Sequence, residues 1–219
     1  MSRAYHKGNV AEDLRIATRR ILETERLEDL SVRRLAREVK VAPANFYNHY
    51  GNLDDLLLEI AADSFQAFRS QIAHISRTST NRTEAWKRIV FHVVNFARHN
   101  PQLYRLMSGH VQDAWACPRY RLAAGAAFED LMALIYGYRV FAMTDDFGPD
   151  DMKTLGDRVQ LGYGLYAMLC GLSNMLALNG GIKSFALADT SQDSLAAFLN
   201  SILDAFLKGR LPEGAGNTA

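Results

Sequence analysis

The 219-residue chain reads as an all-α protein, and three observations point there. No segment sustains the period-2 alternation that a half-buried strand requires. Apolar residues instead recur at helical spacing along most of the length. The breaks between those stretches fall at Pro43, Gly51-Asn52, the polar run SRTSTNRT at 76–83, Pro101 and Pro118, where helices stop or start. A hydrophobic fraction of 48% over this length supplies a core for one large or two modest domains.

In order, residues 1–8 form a polar arm with Arg3 and Lys7. Such an arm lies along a DNA backbone or enters a minor groove, or it simply frays. The N-terminal MSRAYHKGN is basic but has no apolar run, so it is no signal peptide and a cytoplasmic location is expected. A first helix is predicted from about Asn9 to Arg26, with Leu14, Ala17 and Ile21 inward. Then comes SVRRLAREVKVAPANFYNHY, Ser31 to Tyr50, which predicts two short helices joined by a tight turn. Ser31 is suited to N-cap the first, and Val32, Leu35, Ala36 and Val39 form its apolar stripe. Lys40 falls at the turn, Val41 re-enters the core, and Pro43 suits the first turn of the second helix. Phe46 and Tyr50, four apart, pack inward and leave Ala42, Pro43, Ala44, Asn45, Tyr47 and Asn48 outward. That layout predicts a helix-turn-helix whose second helix enters a major groove.

The outward face has the chemistry for base readout. Its first turn is short or apolar, which permits close approach to base edges and thymine methyls. Asn45 or Asn48 can pair with an adenine edge, and Arg33 on the preceding helix can reach a guanine. Tyr47, His49 and the Ser31 hydroxyl suit phosphate oxygens. The formal net charge is only +1, so the chain is no polyelectrolyte. Its basic character is local, with Arg3, Lys7, Arg33, Arg34, Arg37 and Lys40 all in the first 40 residues, and a discrete double-stranded DNA footprint needs just that.

Gly51-Asn52 closes the recognition helix and caps a long fourth helix, with Asp54 and Asp55 in its positive first turn. Leu57, Ala61, Phe65, Phe68, Ile72 and Ile75 give it one apolar side. The polar run 76–83 is the predicted domain boundary, after which helices carry Trp86 to Ala97 and Leu122 to Tyr138, with the acidic DDFGPDD at 145–151 as a loop. From Val159 to Ile182 the chain has no charged residue. Gln160, Ser173, Asn174, Asn179 and five glycines make it too polar for a membrane span, and a helix buried on nearly all sides explains it better. Gly164, Met168, Gly171 and Met175 suit close helix contact. The final helix, from about Ser191 to Lys208, offers Leu195, Phe198, Leu199, Ile202, Leu203, Phe206 and Leu207. Two helices this apolar predict a four-helix bundle across a two-fold homodimer interface. The expected organisation is a DNA-binding domain at 1–52, a connecting helix at 53–78, a helical effector and dimerisation domain at 79–210 and a disordered tail at 211–219.

The run LSVRRLAREVKVAPANFYNHYGNLDDLL resembles the DNA-binding domain of TetR-type bacterial transcriptional regulators. Ser31, Leu35-Ala36, Val41, Phe46-Tyr47, His49-Tyr50 and Leu56 fall in register with that family's pattern. Three positions depart from it. Lys40 stands at the usual turn Gly, which places a non-Gly residue in a left-handed conformation at a cost of about 1 kcal/mol. Arg26 stands where a Gly commonly ends the first helix, and Leu53 where a Lys contacts phosphate. Further on, NFARHNPQLYRLMSGH and LYAMLCGLSNML resemble a C-terminal subgroup with a Trp-x-x-x-His-Gly signature, with Tyr166 for the Trp, Cys170 for the His and Gly171 matching. The resemblance implies a ligand-responsive regulator, a repressor or an activator according to where its operator sits. In a regulator of this type some of Trp86, Phe96, Tyr104, Trp115, Phe128 and Tyr136 would line an effector cavity, with Tyr166, Cys170 and Asn174 as further candidates. The aromatic and Met content without a cluster of Lys or Arg points to a small apolar or amphipathic effector. No cofactor or metal ligand set is indicated. Cys117 and Cys170 lack CxxC spacing, and none of the six histidines follows a Glu by three residues. GxSxG, Walker A and dinucleotide-binding runs are absent. The readings from other classes are a sequence-neutral DNA-organising protein and a helical enzyme using a His/Cys pair.

Overall fold

In the computed structural model, residues 9–140, 160–177 and 191–207 are described, and all regular structure among them is helical, as the sequence predicts. The chain divides into two compact units: Met1–Ser64 with Gln102–Arg121, and Phe65–Pro101 with Leu122–Ala219.

The first unit begins with α1 (Val10–Ile21), capped by Asn9, whose Oδ1 accepts the Glu12 N–H at 3.3 Å. Leu14, Ala17 and Ile21 are buried, as predicted. The helix stops at Ile21, short of Arg26. The Ile21 carbonyl accepts from both Thr24 and Glu25, at 3.1 and 2.8 Å, and the polar Glu23–Arg26 stretch has no apolar side chain whose burial would sustain another turn. A 3-10 turn, Leu27–Asp29, follows. Then α2 (Val32–Val39) starts on Ser31, whose Oγ accepts the Arg34 N–H at 3.2 Å. Leu35, Ala36 and Val39 are buried beneath it.

Lys40 ends α2 in the left-handed conformation that the missing turn glycine implies, at φ 60° and ψ 42°. Its N–H bonds the Arg37 carbonyl, and Val41 reaches back to Ala36 at 2.9 Å. These paired contacts satisfy two orphan carbonyls of the last turn. The recognition helix α3 is a single turn, Pro43–Phe46, and not a helix through Tyr50. The Phe46 carbonyl accepts from both His49 and Tyr50, at 3.0 and 3.1 Å, and Asn48, His49 and Gly51 are poor helix formers. Phe46 is fully buried and Tyr50 nearly so, with ring centroids 5.4 Å apart, so the predicted inward pair holds.

α4 (Leu53–Thr78) opens on a reciprocal cap: Asn52 Oδ1 accepts the Asp55 N–H at 2.9 Å, and Asp55 Oδ2 accepts the Asn52 N–H at 3.2 Å. Leu56, Leu57, Ile60 and Ala61 of its first half belong to the buried core of this unit. α6 (Pro101–Met107), a 3-10 turn at Ala114–Ala116 and the start of α7 (Pro118–Tyr136) are fastened to the same unit. Gln102 accepts the Leu27 N–H at 3.1 Å, Arg105 donates to Glu28 at 2.6 Å, and Arg119 donates to Glu59 and Asp63. The units therefore part within α4 and around 102–121, and not at the polar run 76–83.

The second unit holds the rest of α4, α5 (Arg82–His99), most of α7, α8 (Gln160–Ala177) and α9 (Gln192–Leu207). α5 packs against both α8 and α9. Its cap is Asn81, which accepts the Glu84 N–H at 2.9 Å while the Glu84 carboxylate accepts from Thr80. Trp86, Ile89, Val90 and Val94 share one core with Leu131, Met132, Ile135, Leu165 and Leu169. Leu195, Leu199 and Leu203 also lie inside that core, at most 2% exposed. The assignment of Leu195 and Leu199 to a face between copies is thereby corrected: their four-residue spacing serves packing within the subunit. No helix among the described residues is long and apolar enough to cross a membrane. The N-terminal arm, the acidic run 145–151, residues 178–182 and the tail lie outside the described residues.

Candidate nucleic-acid interface

The helix-turn-helix presents the predicted face to solvent. Ala42, Pro43, Ala44, Asn45, Tyr47, Asn48 and His49 are all exposed, Tyr47 at 59%. Phe46, between them, is the anchor. Burial of such a side chain is worth about 1.5–3 kcal/mol, and the Tyr47 ring stands edge-on to it at 5.4 Å and 79°. The phenol is thus held at its base and free at its tip. The Ser31 Oγ is spent as an acceptor on the α2 cap, which leaves its O–H as a donor suited to a phosphate oxygen.

The three arginines of α2 differ in kind. Arg34 donates to Glu25 at 2.8 Å and to Glu38 at 2.6 Å. These hydrogen bonds, the Glu25 one foremost, raise its pKa further above the ordinary value. Its charge is matched internally, and Arg34 fastens α2 to the turn that follows α1 and to Glu38 of its own helix. The same contact to Arg34 holds the Glu38 carboxyl below its usual range. Arg33 and Arg37 are exposed, and neither forms an ion pair among the described residues. Arg37, counted from sequence only in the local positive charge and not as an individual contact, lies four after Arg33 on the same helix face. Lys40 is exposed beside them. A short, uncharged surface flanked by unpaired cations is what direct readout framed by phosphate contacts needs. Leu53 is half-buried at the start of α4, with Asp54 and Asp55 exposed next to it.

The aromatic residues assigned to an effector are divided between the two units. Tyr104 (buried) and Trp115 (55% exposed, edge-on to Tyr120 at 5.8 Å) belong to the first unit. Trp86 is a core residue of the second, and Phe96 is half-buried there. Phe128 does meet Tyr163 and Tyr166, with centroids at 5.3 and 5.1 Å. Cys170 is half-buried, its thiol pushed up by burial against a smaller opposing hydrogen bond from Tyr166, and Asn174 donates to the Cys170 carbonyl at 2.9 Å. Tyr136 accepts the Gly162 N–H at 3.0 Å.

On α8, Gly164 and Gly171 are exposed, and a Cβ at either would meet nothing within 4 Å. Met175 is 51% exposed, with Tyr163 and Tyr166 also on the surface. Met168, Phe198, Ile202 and Phe206 are partly buried against the subunit's own core.

No family model matches the chain. An uncharacterised helix-turn-helix transcriptional regulator of Haemophilus influenzae is 28% identical over 97 residues, 44% of this chain and 52% of that protein. The chain thus spans about half the length of the curated relative it matches. Among solved structures, a Rhodococcus sp. RHA1 protein of unknown function superposes with a TM-score of 0.67 at 20% identity, covering 93% of this chain and 98% of that one. AibR, solved with isovaleryl coenzyme A and operator DNA, gives 0.56 at 13% identity, with 90% and 97% coverage. PfmR, a TetR-family regulator of Thermus thermophilus, gives 0.51 at 18% identity, with 90% and 97% coverage.

Proposed function

The chain has the fold of the TetR-type transcriptional regulators, and we propose that it works as one: a ligand-responsive, homodimeric repressor, cytoplasmic and without catalytic activity. Each subunit places the turn at Pro43–Asn48 in a major groove, so two-fold symmetry requires a pseudo-palindromic operator. The observation that carries this reading is the uncharged, exposed helix-turn-helix face, with Arg33 and Arg37 beside it forming no ion pair among the described residues, while the neighbouring Arg34 is tied to two carboxylates. Operator DNA and an acyl thioester in the AibR structure support the ligand-responsive part. A small apolar or amphipathic effector bound in the second unit weakens DNA binding through α4, which is continuous between the units. A coupling of about 1–3 kcal/mol corresponds to roughly 5- to 150-fold in affinity.

The test is fragment selection from genomic DNA followed by gel shift with Tyr47→Ala. The wild type should retain selected fragments against competitor DNA. The variant should lose retention while eluting as an intact dimer in gel filtration. Undiminished binding by the variant, or erasure of all wild-type binding by competitor, overturns the reading.

A further inference from the structure

Within the second unit, α4, α5 and α9 line an open groove of about 500 Å³, a volume suited to a small organic ligand. None of the residues read as effector-binding from sequence lines it. Ile75, Phe91 and Leu199 supply apolar walls, one from each helix. The titratable residues described on its wall are all basic: His74 on α4, with Lys87, Arg88 and His92 on α5.

Of these, Lys87 and Arg88 carry the fixed positive charge and keep donors in reserve. Lys87 forms an ion pair with Asp204, which does not line the groove, and has two further N–H groups for a second anion. Arg88 donates to the Ser79 hydroxyl at 2.9 Å, and its contact with Glu84 is loose at 3.9 Å, so most of its five donors remain. His92 lies parallel to Phe68, with ring centroids 6.3 Å apart and planes within 3°, which fixes its orientation at the wall. Asn95, one helical turn beyond Phe91 and also on the wall, has a buried Oδ1 with no hydrogen-bond partner among the described residues. A buried acceptor left unpaired carries its desolvation penalty uncompensated, so a ligand donor that reaches it as the side chain adjusts is favoured.

We propose that this groove binds a small organic carboxylate, its anionic head beside Lys87 and Arg88 and its apolar tail along Ile75, Phe91 and Leu199. An acid that also carries a hydroxyl or amide N–H near the head satisfies Asn95 and binds more tightly. Assigning the groove to the effector rests on the regulator reading above; binding of the acid does not.

The test uses the full-length dimer without DNA and isothermal titration with octanoate, 2-hydroxyoctanoate and octan-1-ol. The two acids should bind, the hydroxy acid more tightly, and the alcohol at least tenfold more weakly. The double variant Lys87→Gln/Arg88→Gln should lose tenfold or more for the acids and leave the alcohol unchanged, as expected for removal of charge-assisted hydrogen bonds. Asn95→Asp, nearly isosteric, sets a like charge against the head group and should abolish acid binding with the thermal transition preserved. Equal affinity for acid and alcohol, or acid binding indifferent to all three substitutions, overturns the proposal. A parallel gel shift separates the two readings. Operator retention without acid binding overturns the groove alone, and acid binding without operator retention overturns the regulator alone.

Discussion

Single side chains divide by whether their partners are near in sequence. The Ser31 cap, the inward Phe46–Tyr50 pair and the left-handed Lys40 were all legible, because each is set by residues within five positions. Lys40 accepts a strain of about 1 kcal/mol, and keeps a cation beside the readout face where glycine would offer none. The fate of Arg34 was not legible. One of its partners, Glu25, lies beyond the 3-10 turn, and no periodicity reports which of the α2 arginines will meet it. This difference carries a prediction. Arg33→Gln should relax preference at one base pair of each half-site, read as a flattened column in a binding-site selection. Arg37→Gln should weaken binding evenly across sequences and lower the salt slope by about 1, the signature of a phosphate contact. Arg34→Gln should leave both readouts in place and lower the urea midpoint instead. A salt slope that falls for Arg34 and not for Arg37 would reverse the assignment.

Helices were legible in existence and in their caps, and less so in their ends. Asn9, Asn52, Asn81 and Ser191 each accept an N–H three residues on, where local chemistry places a start. The stops of α1 and α3 depend on which N–H groups claim one carbonyl, Ile21 or Phe46, and hydrophobic spacing does not encode that competition. The allegiance of the 102–121 segment was hidden for another reason. It rests on pairs such as Arg105–Glu28, separated by 77 residues. This pair makes a pH-dependent fastening. The Arg105 hydrogen bond holds the Glu28 carboxyl down at about 2, from 4.5, with help from Glu28's own backbone N–H. A carboxyl depressed in the folded state stabilises above its unfolded pKa and loses that contribution as pH falls through the folded value. The contribution is therefore intact above about 4.5 and fades toward 2. Following the Glu28 carboxyl carbon by NMR should give a midpoint near the lower value, and Arg105→Met should return it toward the higher one. A midpoint unmoved by that substitution would show that Arg105 does not hold the carboxylate.

Assembly is the level at which apolar patterning misleads most, because the same stripe serves a core and an interface. α9 shows this: its leucines at 195, 199 and 203 are spent inside the subunit, against α5 among others. α8 divides differently. Leu165, Leu169 and Leu172 are buried, while Gly164, Gly171, Tyr163, Tyr166 and Met175 remain on the surface. A Cβ at either exposed glycine would meet nothing among the described residues, so these positions permit the close approach of another helix. The homodimer we propose would therefore rest chiefly on the outer face of α8, with the partly buried Phe198, Ile202 and Phe206 of α9 as its flank. Met175→Glu places a charge on that face, at a site already half open to solvent, so the subunit fold should persist. In a symmetric dimer the substituted carboxylate enters the same isologous contact from both copies, and burying unpaired charges there costs several kcal/mol. Sedimentation at micromolar concentration should then show single subunits with an unchanged helical circular dichroism signal. Operator retention should fall far more steeply than affinity for one half-site, since the second recognition turn is no longer held in register. A variant that stays dimeric with full operator binding would move the pairing surface off α8 and leave its exposed glycines without a purpose in assembly.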